Sequence, residues 1–394
     1  MVSQQIKDYL ERSSWIRKMF EEGIKLKKTH GEDRVLDLTL GNPDLPPPPK
    51  VKETLQKIIE NYEPSFHRYM PNAGFPFVRE VMAKKVSIEQ GVTLTSEDII
   101  MTCGAAGALN IIFKTLLNPG EEVIFPSPFF VEYLFYTENH QGIPKPVSTN
   151  PDFSLNLEAL DQNITEKTKI VLINSPNNPT GQIYTEEEIK SLAKLLSEKS
   201  KIFGHPIYLV SDEPYRNLVF DNHQVPSIFK HYPNSLIAYS FSKELSLAGE
   251  RIGFVAVHPE IQPKKLILEG LILCNRILGF VNAPALAQRL AAECAFAKVE
   301  TIIYQRRRDL ICEMLEEAGL EFVKPKGGLF IFPKVPMDDV TFCQKLKEHL
   351  ILAVPGRGFG VSNHIRLSFC VDEETLKRHK SSFIEAVKTI LNQA

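Results

Sequence analysis

Residues 169–181 read KIVLINSPNNPTG and residues 207–215 read IYLVSDEPY, with EEEIKSLAKLLSEK at 186–199 between them. The two short β-branched runs are apolar throughout instead of alternating, which is typical of strands that helices cover on both faces. The stretch between them has the apolar spacing of a helix. This strand–helix–strand unit predicts a mostly parallel sheet in an α/β protein.

The same alternation of short strands and longer helices continues on both sides of this unit. It predicts strands at 97–103, 122–125, 235–240 and 253–257, and helices at 104–117 and 130–139. After Pro284 the pattern predicts one long helical stretch at 285–318, strands at 329–332 and 365–368, and helices near 339–349 and 373–391. We therefore expect a three-layer α/β/α domain over residues 46–285 and a smaller α+β domain formed by residues 1–45 and 286–394.

Composition and charge exclude several classes of protein. Lys and Arg total 46 of 394 residues and Asp and Glu total 48, so the formal net charge of −2 favours neither nucleic acid nor an anionic membrane as partner. No apolar run approaches the ~18 residues of a membrane span, and the N-terminus has no signal-peptide core. Six scattered cysteines without a C-x-x-C pair indicate reduced thiols in a cytoplasmic protein, with neither disulfides nor a metal site.

Polar side chains follow three consecutive strands of the predicted sheet. Asn178 lies after the first of them, Asp212 after the second and Lys243 after the third. In an open α/β sheet, ligands bind at the carboxyl ends of the strands. We therefore expect these three side chains at one ligand site.

The neighbours of Lys243 change the interpretation of this lysine, since a lysine in a loop is ordinarily solvated. Ser240, Ser242 and Arg251 are donors that suit a phosphate group beside it. Asp212 follows an apolar strand, and a buried carboxylate needs a cationic partner. A lysine that forms a Schiff base, a carboxylate that pairs with a protonated pyridine nitrogen and donors for a phosphate together predict a pyridoxal phosphate site.

Three motifs carry a resemblance to a known family. They are N-N-P-T-G at 177–181, D-E-P-Y at 212–215 and S-x-S-K-x5-G-x-R-x-G at 240–253. From about Leu38 to Phe369 the chain resembles the fold-type I pyridoxal phosphate enzymes of the class I/II aminotransferase family, which are aspartate aminotransferase-like. The resemblance implies a pyridoxal 5'-phosphate cofactor and an enzyme that moves an amino group between an L-α-amino acid and a 2-oxo acid by a ping-pong mechanism.

The resemblance also implies roles for the residues at the strand ends. Lys243 would hold the cofactor as a Schiff base and later act as the general base. Asp212 would hold the pyridinium proton, which keeps the ring an electron sink. Asn178 and Tyr215 would hydrogen-bond the ring hydroxyl. The catalytic residues would be Lys243, Asp212 and Tyr215.

Further contacts of the cofactor are implied in the same way. Phe130 matches the aromatic residue that stacks on the cofactor ring. Tyr69 matches the tyrosine that reaches the phosphate of the neighbouring subunit's cofactor, so a homodimer is implied. Hydroxyl groups, a guanidinium and the N–H groups at a helix start, where the helix dipole favours an anion, would bind the phosphate. These phosphate contacts are Ser240, Ser242, Arg251, Gly104, Ala105 and Ala106.

A different segment of the chain matches the part of the family's site that binds the substrate. Arg366, in H-I-R-L-S-F, matches the arginine that clamps the substrate α-carboxylate, where a planar fork suits bidentate binding. Gly41 and Asn178 would complete that pocket. The resemblance also implies cis peptide bonds before Pro128 and Pro179.

The sequence says less about the side chain of the substrate than about its α-carboxylate. No second arginine can be assigned to a side-chain carboxylate, so a dicarboxylate substrate is not predicted. Trp15, Phe129, Phe130 and Phe359 are expected near the site as an apolar lid, which favours neutral or aromatic substrates.

The alternatives to an aminotransferase are other pyridoxal phosphate chemistry, a non-catalytic module and a dinucleotide-binding site. C–S lyases and cyclopropane-forming synthases use the same residues, because the side-chain pocket decides the fate of the carbanion. A non-catalytic sensor module of a transcription regulator is disfavoured, since no helix-turn-helix or basic extension precedes residue 30. Gly104–Gly107 resembles a degenerate dinucleotide fingerprint, but the next strand ends in Phe125-Pro-Ser and lacks the acidic residue of that fold.

Overall fold

The computed structural model describes residues 2–12 and 14–393. Its α-helices are α1 Gln4–Arg12, α2 Ser14–His30, α3 Pro49–Glu60, α4 Pro76–Gln90, α5 Gly104–Leu116, α6 Glu132–Asn139, α7 Leu157–Asn163, α8 Glu186–Phe203, α9 Lys264–Ile277, α10 Ala285–Glu293, α11 Thr301–Ala318, α12 Asp339–Glu348 and α13 Glu373–Leu391. Its strands are β1 Leu36–Asp37, β2 Ile99–Thr102, β3 Glu122–Ser127, β4 Ile143–Ser148, β5 Thr168–Asn174, β6 Tyr208–Asp212, β7 Ser235–Ser240, β8 Gly253–Val257, β9 Phe330–Ile331, β10 Ile351–Leu352, β11 Val354–Pro355 and β12 Ile365–Ser368. Within these described ranges, no helix has both the length and the apolar character needed to cross a bilayer.

The central sheet has seven strands in the order β2-β8-β7-β6-β5-β3-β4. The five strands from β7 to β4 are parallel to one another, while β8 runs antiparallel to its neighbours β7 and β2. Helices α6, α7 and α8 connect β3 to β4, β4 to β5 and β5 to β6, whereas residues 213–234 cross from β6 to β7 without an α-helix. The predicted α/β class with a mostly parallel sheet is confirmed.

Helices cover both faces of this sheet. In β5, Val171 and Ile173 pack into one hydrophobic cluster with α4 and α8, whereas Ile170 and Leu172 pack into another with α5 and α9. All four side chains are buried, and alternate residues of a strand point to opposite faces. The uninterrupted apolar run at this position is therefore explained by the two layers of helices.

Helix α8 shows how the local sequence sets the ends of an element. The Thr185 hydroxyl accepts the N–H of Glu188, and a Glu188 carboxylate oxygen accepts the N–H of Thr185, which forms a capping box. The helix ends before Gly204, whose φ of 72° suits a glycine C-cap. It runs four residues beyond the predicted end at Lys199.

The predicted long helix at 285–318 is wrong, because the chain forms α10 and α11 with a break at 294–300. The N–H of Val299 donates to the carbonyl oxygen of Glu244 at 2.8 Å. In a continuous helix that N–H would bond to the residue four positions earlier. A backbone hydrogen bond to the loop after β7 replaces the helical one. The strand predicted at 329–332 is also shorter, at Phe330–Ile331.

The N-terminal segment contacts the C-terminal part of the chain. Strand β1 pairs parallel with β10, and the N–H groups of Leu36 and Leu38 donate to the carbonyl oxygens of Leu350 and Leu352 at 3.0 Å each. Strands β11, β12 and β9 form a separate antiparallel sheet beside this pair. The exact division into two domains stays a prediction.

Candidate active site

A cavity of about 410 Å³ opens at the carboxyl ends of β5, β6 and β7. Twelve of the predicted site residues line it, namely Gly41, Ala105, Ala106, Phe130, Asn178, Asp212, Tyr215, Ser240, Ser242, Lys243, Arg251 and Arg366. Gly104 starts α5 immediately before this lining. Tyr69 lies elsewhere. The three polar strand ends therefore meet at one site.

Asp212 is the last residue of β6 and is 5% exposed. The Tyr133 hydroxyl donates to its Oδ2 at 2.6 Å. Its Oδ1 is buried and has no hydrogen-bond partner among the described residues. Burial raises the pKa of Asp212 to about 7, although the hydrogen bond from Tyr133 opposes the shift. A buried carboxylate oxygen without a partner favours a cationic donor in the cavity.

Lys243 follows β7 and extends into the same cavity. Its Nζ donates to the carbonyl oxygen of Gly41 at 2.7 Å and lies 5.9 Å from the ring centroid of Tyr215. Burial lowers the pKa of Lys243 to about 8, and the nearby positive charges of Arg366 and Arg251 also lower it. A substantial fraction of this amine is therefore neutral at mildly alkaline pH.

Arg366, on β12, forms another part of the wall and is 4% exposed. Its Nη1 donates to the side-chain oxygen of Asn178 at 3.2 Å, and its Nη2 donates to the carbonyl oxygen of Thr39 at 2.7 Å. Its guanidinium carbon lies 4.1 Å from the ring centroid of Phe330 and 4.6 Å from that of Phe359. Burial lowers the pKa of Arg366 to about 10. Both hydrogen-bond acceptors are neutral, so the charge suits an anionic ligand group.

One end of the cavity collects donors that suit an anion. The hydroxyl oxygens of Ser240 and Ser242 lie 2.7 Å apart. The N-terminus of α5 has no side-chain cap, so its first N–H groups are available. Gly104 has a φ of 71°, and a Cβ there would lie 3.0 Å from Nη2 of Arg251. Glycine therefore allows the guanidinium to approach the helix start.

Gly41 and Tyr215 shape the opposite wall through Phe330. A Cβ at Gly41 would lie 2.1 Å from the Phe330 ring, so only glycine fits this close approach. The Tyr215 ring packs edge-on against the Phe330 ring at 6.2 Å between centroids. Burial raises the pKa of Tyr215, which keeps its hydroxyl protonated as a hydrogen-bond donor.

Tyr69 is the predicted site residue that this single chain does not bring to the cavity. Its side chain is 90% exposed and borders a separate depression between segments 67–70 and 280–285. Asn282 holds the segment that carries it by donating to the carbonyl oxygen of Pro71 at 3.1 Å. Tyr69 is therefore held on the surface, outside the cavity of its own chain.

Nine residues that line the cavity were not predicted from the sequence, and Tyr133, Tyr136, Asn174 and Phe330 are among them. The Asn174 side chain accepts the N–H of Asn178 at 2.7 Å and donates to the carbonyl oxygen of Asp212 at 2.8 Å. Asn174 ends β5, so the strand-end rule would have found it. Tyr133 and Tyr136 follow Phe130 at intervals of three, a helical spacing that placed them on one face.

The expected aromatic lid is realised only in part. Phe130 lines the cavity, whereas Phe129 and Phe359 are buried in hydrophobic clusters. Phe359 acts on the site through its contact with the Arg366 guanidinium. The Trp15 side chain lies outside the described residues.

The loops after β3 and β5 contain the expected cis peptide bonds. The Ser127–Pro128 and Asn178–Pro179 bonds are cis, and so are Ser175–Pro176 and Gln262–Pro263. The loops that contain Pro128 and Pro179 bring Phe130 and Asn178 to the cavity.

The residues present fit pyridoxal phosphate. The unpaired Oδ1 of Asp212 suits a protonated pyridine nitrogen, and the cluster of donors near Ser240 suits a phosphate. The amine of Lys243 lines the same cavity and suits an aldehyde carbon. Arg366 remains available for a substrate carboxylate.

Comparison with known proteins also supports a pyridoxal phosphate enzyme. The sequence model of the family described as "Aminotransferase class I and II" matches residues 33–382. A probable aspartate aminotransferase of Methanocaldococcus jannaschii is 34% identical over 87% of this chain and 91% of its own length. The aspartate/prephenate aminotransferase of Thermus thermophilus is 32% identical over 88% of this chain and 89% of its own length.

A solved structure is similar over nearly the whole chain. An amino transferase from Eubacterium rectale has a TM-score of 0.94 at 36% identity and covers 99% of both chains. The motifs at the strand ends, the mostly parallel sheet and these relatives lead to one assignment. The chain belongs to the class I and II aminotransferase family and is a pyridoxal phosphate-dependent aminotransferase.

Proposed function

We propose that Lys243 and Asp212 form the reaction centre of this aminotransferase, which acts on an L-α-amino acid and a 2-oxo acid in turn. One observation carries the proposal. A lysine amine held by a carbonyl oxygen shares a cavity with a buried carboxylate that has one unpaired oxygen. Bound pyridoxal phosphate supplies a ring that takes up negative charge from the substrate Cα. The side chains bind, orient and move a proton.

Asp212 would hold the protonated pyridine nitrogen, since its Oδ1 has no hydrogen-bond partner among the described residues. Tyr133 fixes the carboxylate in the matching orientation through Oδ2. Without a cation, burial raises the pKa of Asp212 to about 7. A cationic N–H in contact with Oδ1 favours the ionised carboxylate at neutral pH. Asn178 and Tyr215, which line the same cavity, would hold the ring hydroxyl.

Lys243 Nζ accepts the proton that leaves the substrate Cα. A base must be neutral to accept a proton, and the lowered pKa of about 8 makes the neutral amine accessible. The carbonyl oxygen of Gly41 orients Nζ.

Arg366 binds the substrate α-carboxylate. Its guanidinium is already held by Asn178 and Thr39 and is packed against the Phe330 ring, so little side-chain freedom is lost on binding. Gly41 completes the pocket because its missing side chain leaves room beside Phe330.

The phosphate and ring contacts follow from the donors at the other end of the cavity. The hydroxyl pair, the guanidinium and the helix start would hold the phosphate, and the Phe130 ring would stack on the cofactor. The phosphate contacts are Gly104, Ala105, Ala106, Ser240, Ser242 and Arg251.

The protein is proposed to act as a homodimer in which Tyr69 reaches the cofactor phosphate of the partner. The support is the 90% exposure of a tyrosine whose segment is held in place by Asn282. Sedimentation of the cofactor-bound enzyme should give twice the chain mass of 44.6 kDa. Sedimentation at the single-chain mass would contradict the proposal.

The proposed location is the cytoplasm. All six cysteines are free, at positions 103, 274, 294, 312, 343 and 370, which fits a reducing compartment. Alkylation in denaturant at the moment of lysis, followed by mass spectrometry, should find all six thiols modified, including the four that are buried in the fold. A native disulfide would contradict this location.

The proposed domains are residues 46–285 and residues 1–45 with 286–394. The support is the pairing of β1 with β10. The amides of Leu36 and Leu38 should therefore exchange hydrogen together with those of the C-terminal part. Exchange of these amides with the rates of the seven-stranded sheet would contradict the division.

The test of the reaction centre is chemical labelling of Lys243. Borohydride treatment of the cofactor-bound protein should attach the cofactor to the peptide that carries Lys243, as seen by mass spectrometry. Lys243→Ala should lose this label and at least about 10⁴-fold in turnover, whereas Lys230→Ala, at an exposed lysine, should keep both. A label on another lysine, or turnover retained in Lys243→Ala, would refute the proposal.

A further inference from the structure

Two buried glutamates directly follow the two residues of the proposed reaction centre. Glu213 follows Asp212, and Glu244 follows Lys243. Glu213 is 1% exposed and Glu244 is 2% exposed, and both side chains are buried outside the lining of the cavity. Buried carboxylates are rare unless they are paired. Their partners connect them to each other.

Glu244 is held by one amide, one hydroxyl and one lysine. Its Oε2 accepts hydrogen bonds from Asn217 Nδ2 at 2.5 Å and from the Tyr239 hydroxyl at 2.7 Å. Its Oε1 lies 3.3 Å from Lys85 Nζ, which also lies 2.9 Å from Oε1 of Glu89. Lys85, on α4, is itself 4% exposed.

Glu213 is held by an arginine and a hydroxyl. Its Oε2 accepts from Arg216 Nη1 at 2.9 Å, and its Oε1 accepts from the Ser211 hydroxyl at 2.9 Å. Arg216 Nη2 donates to the carbonyl oxygen of Glu89 at 3.0 Å. Asn217 Nδ2 also donates to the Glu89 carboxylate at 3.1 Å. Glu89 therefore connects the partners of both buried glutamates.

These residues form one network, here named the rear cluster, in which Glu89 and Asn217 are half-buried and the other members are buried. Its members are Lys85, Glu89, Glu213, Arg216, Asn217 and Glu244. Three carboxylates face two cations in it. Burial raises the pKa of Glu213 and of Glu244, while the two glutamates near Lys85 raise its pKa against the effect of burial.

Stability alone does not account for such a network. Removing several charges from water costs about as much as their attraction returns, and apolar side chains of similar volume often stabilise a fold equally well. What an ionic network adds is fixed geometry, since directed donors restrain both oxygens of Glu213 and Oε2 of Glu244. In the rear cluster these restraints act one residue away from Asp212 and Lys243.

We propose that the rear cluster is a positioning device that sets the distance and orientation between Asp212 and Lys243. This inference rests on the proposed roles of those two residues. Each glutamate restrains the main chain of its neighbour, and Glu89 with Asn217 links the two restraints. Main-chain hydrogen bonds contribute as well, since the Glu213 N–H donates to Ala238 in β7 at 2.9 Å. Misplacement of a reacting group by about 1 Å costs about a hundredfold in rate.

The first test replaces Glu244 by glutamine, which keeps the volume and removes the charge. Glu244→Gln should lower kcat about ten- to a hundredfold, with KM for the amino acid changed less than about threefold. The visible circular dichroism of the bound cofactor, normalised to bound cofactor, should change in shape or fall about twofold, because it reports the orientation of the cofactor in the site. Asp98→Asn is the matched control, because Asp98 is a 1% exposed carboxylate paired with Lys264 before β2. The control should leave both readouts unchanged.

Two further variants separate positioning from general loss of stability. Tyr239→Phe removes one hydroxyl donor to Glu244 and keeps the ring, so it should fold and show the same changes at a smaller size, about two- to fivefold in kcat. Lys85→Met combined with Glu244→Gln removes both members of an ion pair. This double variant should recover part of the kcat lost in each single variant, because neither partner remains as an unpaired buried charge.

The possible results separate a failure of the rear cluster as a positioning device from a failure of the proposed roles of Asp212 and Lys243. Dichroism and kcat of Glu244→Gln and Tyr239→Phe equal to those of Asp98→Asn would overturn the rear cluster as a positioning device. Losses in the double variant that equal the sum of the single losses would overturn it as well, since the pair would then act independently. Absence of a cofactor signal from the unaltered protein would instead overturn the proposed roles of Asp212 and Lys243.

Discussion

Asp212 and Glu213 are neighbours in the chain, yet their surroundings are opposite. On the cavity side, Asp212 has one oxygen bonded by Tyr133 and one without a partner among the described residues. On the rear side, both oxygens of Glu213 accept hydrogen bonds, from Arg216 and from Ser211. In this pair of neighbours, the carboxylate with the unpaired oxygen lines the cavity and suits a ligand, whereas the carboxylate with two paired oxygens belongs to the structure behind it.

The largest expected effect separates these two carboxylates in the cofactor-free protein. The pKa of Asp212 is raised from 3.8 to about 7, so its contribution to stability is complete below pH 3.8 and is lost as the pH rises through 7. A shift of three units corresponds to about 4 kcal/mol. Asp212→Asn should therefore be more stable than the unaltered protein by about 4 kcal/mol at pH 8 and by less at pH 5. Glu213→Gln should instead be destabilised by about 3–5 kcal/mol, since Arg216 loses its partner.

Urea unfolding of the cofactor-free proteins at pH 5 and pH 8 measures both effects. Changes of opposite sign in the free energy of unfolding of the two variants at pH 8 would confirm the difference between the two carboxylates. Equal destabilisation of both variants would contradict it, because Asp212 would then be a structural carboxylate like its neighbour.

A second pair of variants compares the arginines of the two sides. Arg366→Lys keeps a charge but loses the planar fork, so KM for the amino acid should rise about 10- to 150-fold, equivalent to about 1.5–3 kcal/mol. Arg216→Lys should leave KM within about threefold and lower the free energy of unfolding instead. Steady-state kinetics and urea unfolding of both variants give the answer. A higher KM in Arg216→Lys with no change in Arg366→Lys would contradict the proposal that Arg366 binds the substrate.

The smallest expected effect concerns the single hydrogen bond that Asp212 already has. Tyr133→Phe removes it, which should raise the pKa of Asp212 and lower kcat about five- to tenfold, equivalent to about 1–1.5 kcal/mol. Tyr184→Phe, at another buried tyrosine outside the cavity, is the control and should leave kcat unchanged. Equal rates for Tyr133→Phe and the control would show that Oδ1 alone orients this carboxylate.

The fold and the strand-end residues were predictable because their signals are local. An uninterrupted apolar run indicates a strand covered on both faces, and parallel strands bring their carboxyl ends to one edge. Asn178, Asp212 and Lys243 each follow such a run directly, so topology alone places them together. Helix α8 was predictable because Thr185 and Glu188 cap its start.

The remaining features depend on contacts between distant segments. The break between α10 and α11 follows a hydrogen bond from Val299 to Glu244, which no helical pattern contains. The contact of Tyr133 with Asp212 joins a helix to a strand 79 residues later. The rear cluster likewise depends on α4 packing behind the sheet, so its members look like ordinary charged residues in the sequence.

The wall of the cavity opposite the phosphate end has a separate origin in the chain. Phe330 and Arg366 lie on β9 and β12, and Gly41 precedes α3, so none of them belongs to a strand of the seven-stranded sheet or to the loops that carry Asp212 and Lys243. The wall proposed to bind the substrate α-carboxylate and the proposed reaction centre are thus encoded in different stretches of the gene. Substitutions in this wall would therefore alter the binding of the carboxylate group that all α-amino acids share and would leave Asp212 and Lys243 in place.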